Sequence, residues 1–264
     1  MAESVEISVV IPAYNAAAYI ERTLASVAVQ TLTPGEVVVV DDGSMDATCD
    51  IIEAFALKHP NICIRLLREP HRGPGAARNA GVRAAHYDWI AFLDSDDLWH
   101  PEKIKKMTEA IRANPRANFF CHNETMRFLD GSMRVIDYST GFRYDRSIPR
   151  QLFQKNYFST SAVITRRDLI LRWGGFDESL SSAQDYELWL RMSPELIPVF
   201  VPEVLGTYVL RKDSITNRRY WRKLFNSLRV SHRHRAKADT GLYIYMLFRI
   251  TAAHLFSIVR IICH

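Results

Sequence analysis

Two apolar runs, each closed by a cluster of carboxylates, constrain this chain more than anything else in it. Val37-Val38-Val39-Val40 leads into Asp41-Asp42-Gly43-Ser44, and Trp89-Ile90-Ala91-Phe92-Leu93 leads into Asp94-Ser95-Asp96-Asp97. Continuous apolar runs of this length, bounded by small polar residues, are the pattern of parallel strands buried on both faces. In an open sheet of that kind ligands bind outside the carboxyl ends of the strands, where both acidic clusters fall. Carboxylates grouped there repel one another unless something cationic or hydrogen-bonding stands between them. A divalent metal carrying a diphosphate meets that need, because hard oxygen ligands suit Mg2+ or Mn2+. The expectation is an enzyme that handles a nucleotide.

The first half keeps a regular beat of strand and helix. Strands are predicted at 7–11, 36–40, 62–67 and 89–93, and helices at 16–30, 46–58, 76–85 and from Pro101 to about Ala113. Ile20, Leu24 and Val27 share one face of the first helix. Such alternation implies βαβ units and a parallel sheet with right-handed crossovers. Beyond Asn114-Pro115 the beat changes. Segments 119–121, 125–129 and 133–136 around Asp130-Gly131 predict a hairpin with a tight two-residue turn. Short strands are expected at 161–165, 199–201 and 205–210, and a helix at 183–192. The predicted organisation is a domain over 1–215, divided into a nucleotide half (1–113) and a mixed second half (114–215), followed by a helical tail over 216–264.

Composition narrows the classes. With 264 residues, 48% of them hydrophobic, the chain can bury a full core. Cys49, Cys63, Cys121 and Cys263 are widely spaced, with neither a C-x-x-C pair nor zinc spacing, which fits a reducing compartment. The N-terminal residues lack the basic and apolar regions of an export signal, so a cytoplasmic location is expected. The net charge of +5 hides an asymmetry: residues 211–264 carry 12 Lys/Arg against two acids, and the preceding 210 carry 22 against 27. A basic tail on an acidic body argues against a nucleic-acid enzyme, whose basic surface lines its site.

The motifs assign chemistry to positions. In Val10-Ile11-Pro12-Ala13-Tyr14-Asn15 the proline ends a ladder, Asn15 suits a turn, and Tyr14 offers a platform for base stacking. Asp42 is suited to accept the imide N–H of uracil or ribose hydroxyls. His71-Arg72-Gly73-Pro74-Gly75-Ala76-Ala77-Arg78 contains a G-x-G, but it follows the third strand and has Arg78 where a dinucleotide fingerprint needs glycine. It reads instead as a small-residue loop approaching a nucleotide, with Arg72 or Arg78 reaching diphosphate or base. Asp94 and Asp96, two apart on an extended segment, point the same way and can serve one ligand cluster.

These motifs, in this order and at these separations, resemble the inverting glycosyltransferases of family 2 over residues 5–210. The resemblance implies the GT-A fold: a mostly parallel, Rossmann-like α/β sheet flanked by helices, with a mixed acceptor-side half. It also implies that Pro12, Tyr14, Asn15, Asp42, Arg72, Arg78, Asp94 and Ser95 form the nucleotide site. Asp96, with Asp94 as a second carboxylate, would hold Mg2+ or Mn2+ on the donor diphosphate, and Asp97 would lie outside the metal shell. Gly174-Gly175-Phe176-Asp177-Glu178 and Gln184-Asp185-Tyr186-Glu187-Leu188-Trp189 resemble the acceptor motif, making Asp185 the general base. Asp185 would also favour the positive end of its helix, which would lower its pKa. Many relatives carry a histidine where this chain has Arg211-Lys212, and these cations would neutralise the leaving diphosphate instead. The Gln-x-x-Arg-Trp box of processive synthases is absent, so one sugar per turnover is expected.

The resemblance implies transfer of one sugar from a nucleotide-diphosphate sugar, UDP-linked by preference, to a saccharide or lipid-linked hydroxyl in surface-polysaccharide or glycolipid assembly. Two rival readings are a sugar-1-phosphate nucleotidyltransferase and a non-catalytic nucleotide-binding module. The first would want a Gly-rich, basic loop after strand one, and the second would have lost Asp96 or Asp185. In the tail, Arg249, Ala253, Ser257 and Arg260 share one helical face. That pattern fits peripheral attachment to an anionic membrane, or packing on the core or a second subunit.

Overall fold

The computed structural model describes residues 5–210 and 220–262. Its first half is β1 (Ile7–Ala13), α1 (Ile20–Ala28), β2 (Glu36–Asp41), α2 (Thr48–Lys58), β3 (Ile64–Arg68), α3 (Pro74–Ala84) and β4 (Trp89–Phe92). These four strands lie parallel in the order β3-β2-β1-β4. The chain lays β2 and then β3 on one side of β1 and returns to place β4 on the other. Strand order therefore reverses between β1 and β4, which opens a crevice at the carboxyl ends of β1, β2 and β4.

Alternate residues of one strand feed two cores. Val9, Ile11, Val37 and Val39 face a layer with Leu24, Ile52 and Ile104, whereas Val10 faces one with Phe92, Phe119 and Trp189. Each such side chain contributes roughly 1.5–3 kcal/mol of burial. Helix α3 sits directly on β1 because residue 81 is glycine: a Cβ there would stand 2.4 Å from Val10 Cγ1. That close approach brings the start of α3, with Arg78, to the crevice.

The second half adds β5 (Leu98–Trp99), α4 (Lys103–Ala113), β6 (Phe119–Arg127), β7 (Met133–Ile136), α5 (Ile148–Gln154), β8 (Val163–Arg166), α6 (Arg167–Arg172), α7 (Gln184–Met192) and β9 (Pro198–Val209). Strand β8 runs antiparallel between β4 and β6, and β9 pairs parallel with β6. The result is one mixed sheet with helices on both faces, a GT-A architecture. The hairpin forms with a longer loop than predicted: Leu129-Asp130-Gly131 spans it, with Phe128 N–H bonded to Ser132 O and Gly131 N–H to Phe128 O. The two strands expected near 199 and 205 are one strand, kept continuous through irregular pairing beside His122 and Asn123. Residues 160–162 are a 3-10 turn preceding β8. Helices α5 and α6 have too few turns to register as a periodic pattern.

The tail forms α8 (Tyr220–Arg233) and α9 (Thr240–Ile262), both docked on the second half. Asn226 donates to the hydroxyls of Ser181 and Ser182 at 3.1 and 3.0 Å, Arg233 pairs with Asp177, and Arg150 pairs with Asp239 at 2.7 Å. Arg249, though exposed, donates to the carbonyl of Gln154, a contact with the body of the kind the packing alternative expected. Ile244, Tyr245 and Phe248 are exposed as well. Ser257 and Arg260 have side chains outside the described set, as does Cys263. No described helix is long and apolar enough to cross a membrane.

Candidate active site

The ends of β1 and β2 form one wall of the crevice. Asn15 adopts a left-handed φ of 46° and ties the two strand ends together. Its N–H donates to Ser44 Oγ and its Oδ1 accepts from Met45 N–H, each at 2.9 Å. Pro12 lies buried in β1 opposite Val40. Asp42 is covered by the loop before α3: Oδ1 accepts Arg72 N–H at 2.8 Å and Oδ2 accepts Gly73 N–H at 2.9 Å. His71 Nδ1 stands 2.9 Å from the same Oδ2 and 3.0 Å from the Asp42 carbonyl. Both neighbours are acceptors, so Nδ1 carries the proton. The imidazole stacks on Tyr14 with centroids 4.1 Å apart and planes 20° from parallel. Thus Tyr14 and Asp42 meet, together with a histidine to which the sequence assigned no role.

The end of β4 forms the floor. Arg78 is buried, donates to Asp94 Oδ1 at 2.5 Å, and lies over the Phe176 ring at 5.5 Å. Its Nε–H is buried with no acceptor among the described residues. Arg72 is engaged otherwise: its backbone holds Asp42, while its half-exposed side chain lies 3.5 Å from Glu178. Ser95 is anchored through its carbonyl, which accepts the Thr23 hydroxyl at 2.9 Å. Asp94 and Asp96 remain partly open, and Asp97 is sealed. Arg211 and Lys212 lie outside the described residues.

Beneath that turn sits a dry charged cluster. Ser161 is its hub: Oγ accepts Asp94 N–H at 3.1 Å and donates to Asp97 Oδ2 at 2.6 Å. The Ser161 carbonyl accepts Lys103 Nζ at 2.6 Å and Trp99 Nε1 at 3.1 Å. Asp97 Oδ1 accepts Val209 N–H at 3.0 Å, which ties the acidic turn to the end of β9. Lys103 is fully buried, with its ammonium 3.7 Å from the Trp99 ring centre. Burial pushes its pKa well below the usual lysine value, against the opposing pull of Glu124 and Asp97. Burial likewise pushes Asp97 well up, reinforced by Asp96, Glu124 and Asp94. Glu124, bonded by Tyr138 Oη at 2.8 Å, is also raised by burial.

The acceptor-side motif faces this floor. Asn79 clamps it: Nδ2 donates to Phe176 O at 2.9 Å and Oδ1 accepts Phe176 N–H at 2.7 Å. A Cβ at residue 175, where φ is +71°, would stand 2.4 Å from Asn79 Oδ1, so only glycine fits. Helix α7 begins after Ala183, a non-glycine residue at φ 59°, a conformation that costs about 1–3 kcal/mol and persists where surrounding structure enforces it. Asp185 follows, in electrostatic reach of Arg78 and Asp94 and bonded by Thr160. Part of the residue is exposed, but its carboxyl sits deep among protein atoms, and that burial raises its pKa. The helix terminus and Arg78 pull the other way and lose, contrary to the lowered value expected from the dipole alone.

The donor set suits a hard divalent cation. Asp94 and Asp96 offer carboxylate oxygens, and among the described residues no group of three or more His, Cys, Asp or Glu could hold an ion unaided.

A mixed, mostly parallel sheet with carboxylates at its switch point is the GT-A arrangement. The model of glycosyl transferase family 2 matches residues 8–170, more than half of the chain, and the chain belongs to that family. The succinoglycan biosynthesis protein ExoO of Rhizobium meliloti (strain 1021) is 36% identical over 193 residues, covering 69% of this chain and 54% of that protein. The chain spans between 26% and 64% of the length of the first curated relatives it matches. S. aureus TarS 1-349 in complex with UDP-GlcNAc is similar at a TM-score of 0.69 and 20% identity, covering 93% of this chain and 71% of that one. Mannosyltransferase PcManGT from Pyrobaculum calidifontis, in complex with GDP-Man and Mn2+, gives 0.69 and 20%, covering 98% and 76%. At those identities the likeness is one of fold.

Proposed function

We propose that the chain transfers a single sugar, with inversion, from a UDP-sugar to a hydroxyl of a saccharide or lipid-linked acceptor in surface-polysaccharide or glycolipid assembly. The observation that carries this reading is Asp185, a desolvated carboxyl opposite Arg78 and Asp94 across one crevice. The acceptor hydroxyl gives its proton to Asp185 as its oxygen bonds to C1 of the donor sugar. The bond from C1 to the phosphate oxygen breaks in the same displacement, and its electron pair leaves with the diphosphate. Burial that raises the pKa of Asp185 makes it a stronger base than an ordinary carboxylate, whose value is near 4. Arg78, with its unused Nε–H, is set to orient the diphosphate. When bound, Mg2+ or Mn2+ at Asp96, with Asp94 beside it, would neutralise charge on the departing diphosphate. The UDP-GlcNAc complex of TarS and the Mn2+ complex of PcManGT support donor and metal classes of this kind.

Asp185→Asn tests the assignment. Turnover is expected to fall by about 10² or more with donor affinity nearly intact. The wild-type acid limb should lie above the ordinary carboxylate range, since activity is lost as falling pH protonates a base of raised pKa. Equal losses in rate and donor affinity would make Asp185 a binding residue.

The exposed Ile244, Tyr245 and Phe248 on α9 support peripheral membrane attachment through an apolar face. Co-sedimentation with anionic vesicles is expected, and Phe248→Ser should reduce it. No binding by the wild type at low salt would remove this reading.

A further inference from the structure

The base end of the crevice already holds a ring. Asp42 is 3% exposed at its side chain, and both of its oxygens are engaged by the loop before α3. The groups that cover it differ in kind. Arg72 and Gly73 reach it through backbone N–H groups fixed at the entry to α3. His71 reaches it through a side chain that is 55% exposed, stacks on Tyr14 and bonds the Asp42 carbonyl. A flat ring that lays its face on Tyr14 and brings a nitrogen within 2.9 Å of the Asp42 carboxylate stands where a base with an imide N–H would stand. Oδ2 already receives the Gly73 N–H, and the imidazole Nδ1, which bonds the Asp42 carbonyl, fills the space 2.9 Å from the same oxygen. Ring and base therefore compete for one place.

We propose that His71 is an internal stand-in for the nucleobase, filling the Tyr14–Asp42 subsite of the unliganded chain and leaving it when a uracil-type base binds. This inference rests on the nucleotide-sugar reading and adds a residue that sets the strength of donor binding. The bonds from Arg72 and Gly73 survive the exchange, so the loop stays tethered and only a side chain turns out toward solvent. A site open for only part of the time binds with affinity reduced by that fraction. Removing the ring removes the reduction.

Calorimetric titration of uridine and of UDP into the wild type and His71→Ala tests this, with thermal melts to confirm that both are folded. His71→Ala should bind both ligands more tightly, by about tenfold if the subsite is open one tenth of the time. The factor should be the same for uridine and UDP, because the competition involves the base alone. Unchanged or weaker binding by His71→Ala, or a gain confined to UDP, overturns the proposal. Failure of the wild type and the variant alike to bind either ligand overturns the donor reading and this inference with it.

Discussion

The two ends of the crevice use polar residues in opposite ways. At the floor, Asp97, Lys103, Glu124 and Ser161 are closed off from water, and Ser161 bonds both Asp97 and Lys103 while Asp97 and Glu124 are held further by Val209 and Tyr138. At the base end, Tyr14 and His71 lie half in solvent, held by one stacking contact and by the approach of one ring nitrogen to the Asp42 carbonyl and carboxylate. A buried charge without its partner carries a large desolvation cost, so the floor is rigid and intolerant of change. An exposed ring pair gives up little when it parts, so the base end can exchange partners. In the proposed function the donor-side carboxylates stand over the rigid part, and in the proposed exchange the displaced ring stands at the soft one.

The largest effect should come from the floor. Lys103→Met keeps much of the volume but leaves the buried Ser161 carbonyl without its Nζ donor and removes the cationic pull on Asp97 and Glu124, and unfolding stability should fall by about 1–3 kcal/mol. Denaturant unfolding measures this, and a loss below about 1 kcal/mol would break the contrast by showing that the cluster is not electrostatically committed. The smallest stability effect should come from the base end. Tyr14→Ala should shift stability by less than about 0.5 kcal/mol while weakening UDP binding by about 1–3 kcal/mol, the worth of one base on an aromatic ring. Calorimetry together with a thermal melt checks both, and a matching loss of stability would make the Tyr14–His71 pair structural.

Sequence and structure agree where the signal is local. The valine run of β2 and the acidic ends of β2 and β4 were legible because burial on both faces of a strand leaves an uninterrupted apolar word. Lys103 was not legible, since a lysine just after a proline at a helix start has the pattern of a solvated side chain. Its burial depends on Ser161 and Trp99, and the serine is 58 residues away. His71 was in view as part of the loop, but its meeting with Tyr14 requires the ends of β1 and of the loop after β3 to converge. Asn79 is similar: its partner Phe176 lies 97 positions on.

The sequence by itself determined the parallel half-sheet, the placement of Tyr14, Asp42, Asp94, Asp96 and Asp185 at element ends, and the family. Those follow from periodicity and from small polar residues that stop a strand, both short-range properties of the chain. Only the tertiary structure decided how those residues are charged and covered. It joined the two predicted strands near 199 and 205 into β9, closed the 71–73 loop over Asp42, and turned Arg249 toward Gln154. It also reversed the sign at Asp185, where the nearby helix terminus favours a lower pKa and the surrounding protein raises it. Desolvation depends on every atom that packs around a group, and most of those atoms come from segments far away in the chain.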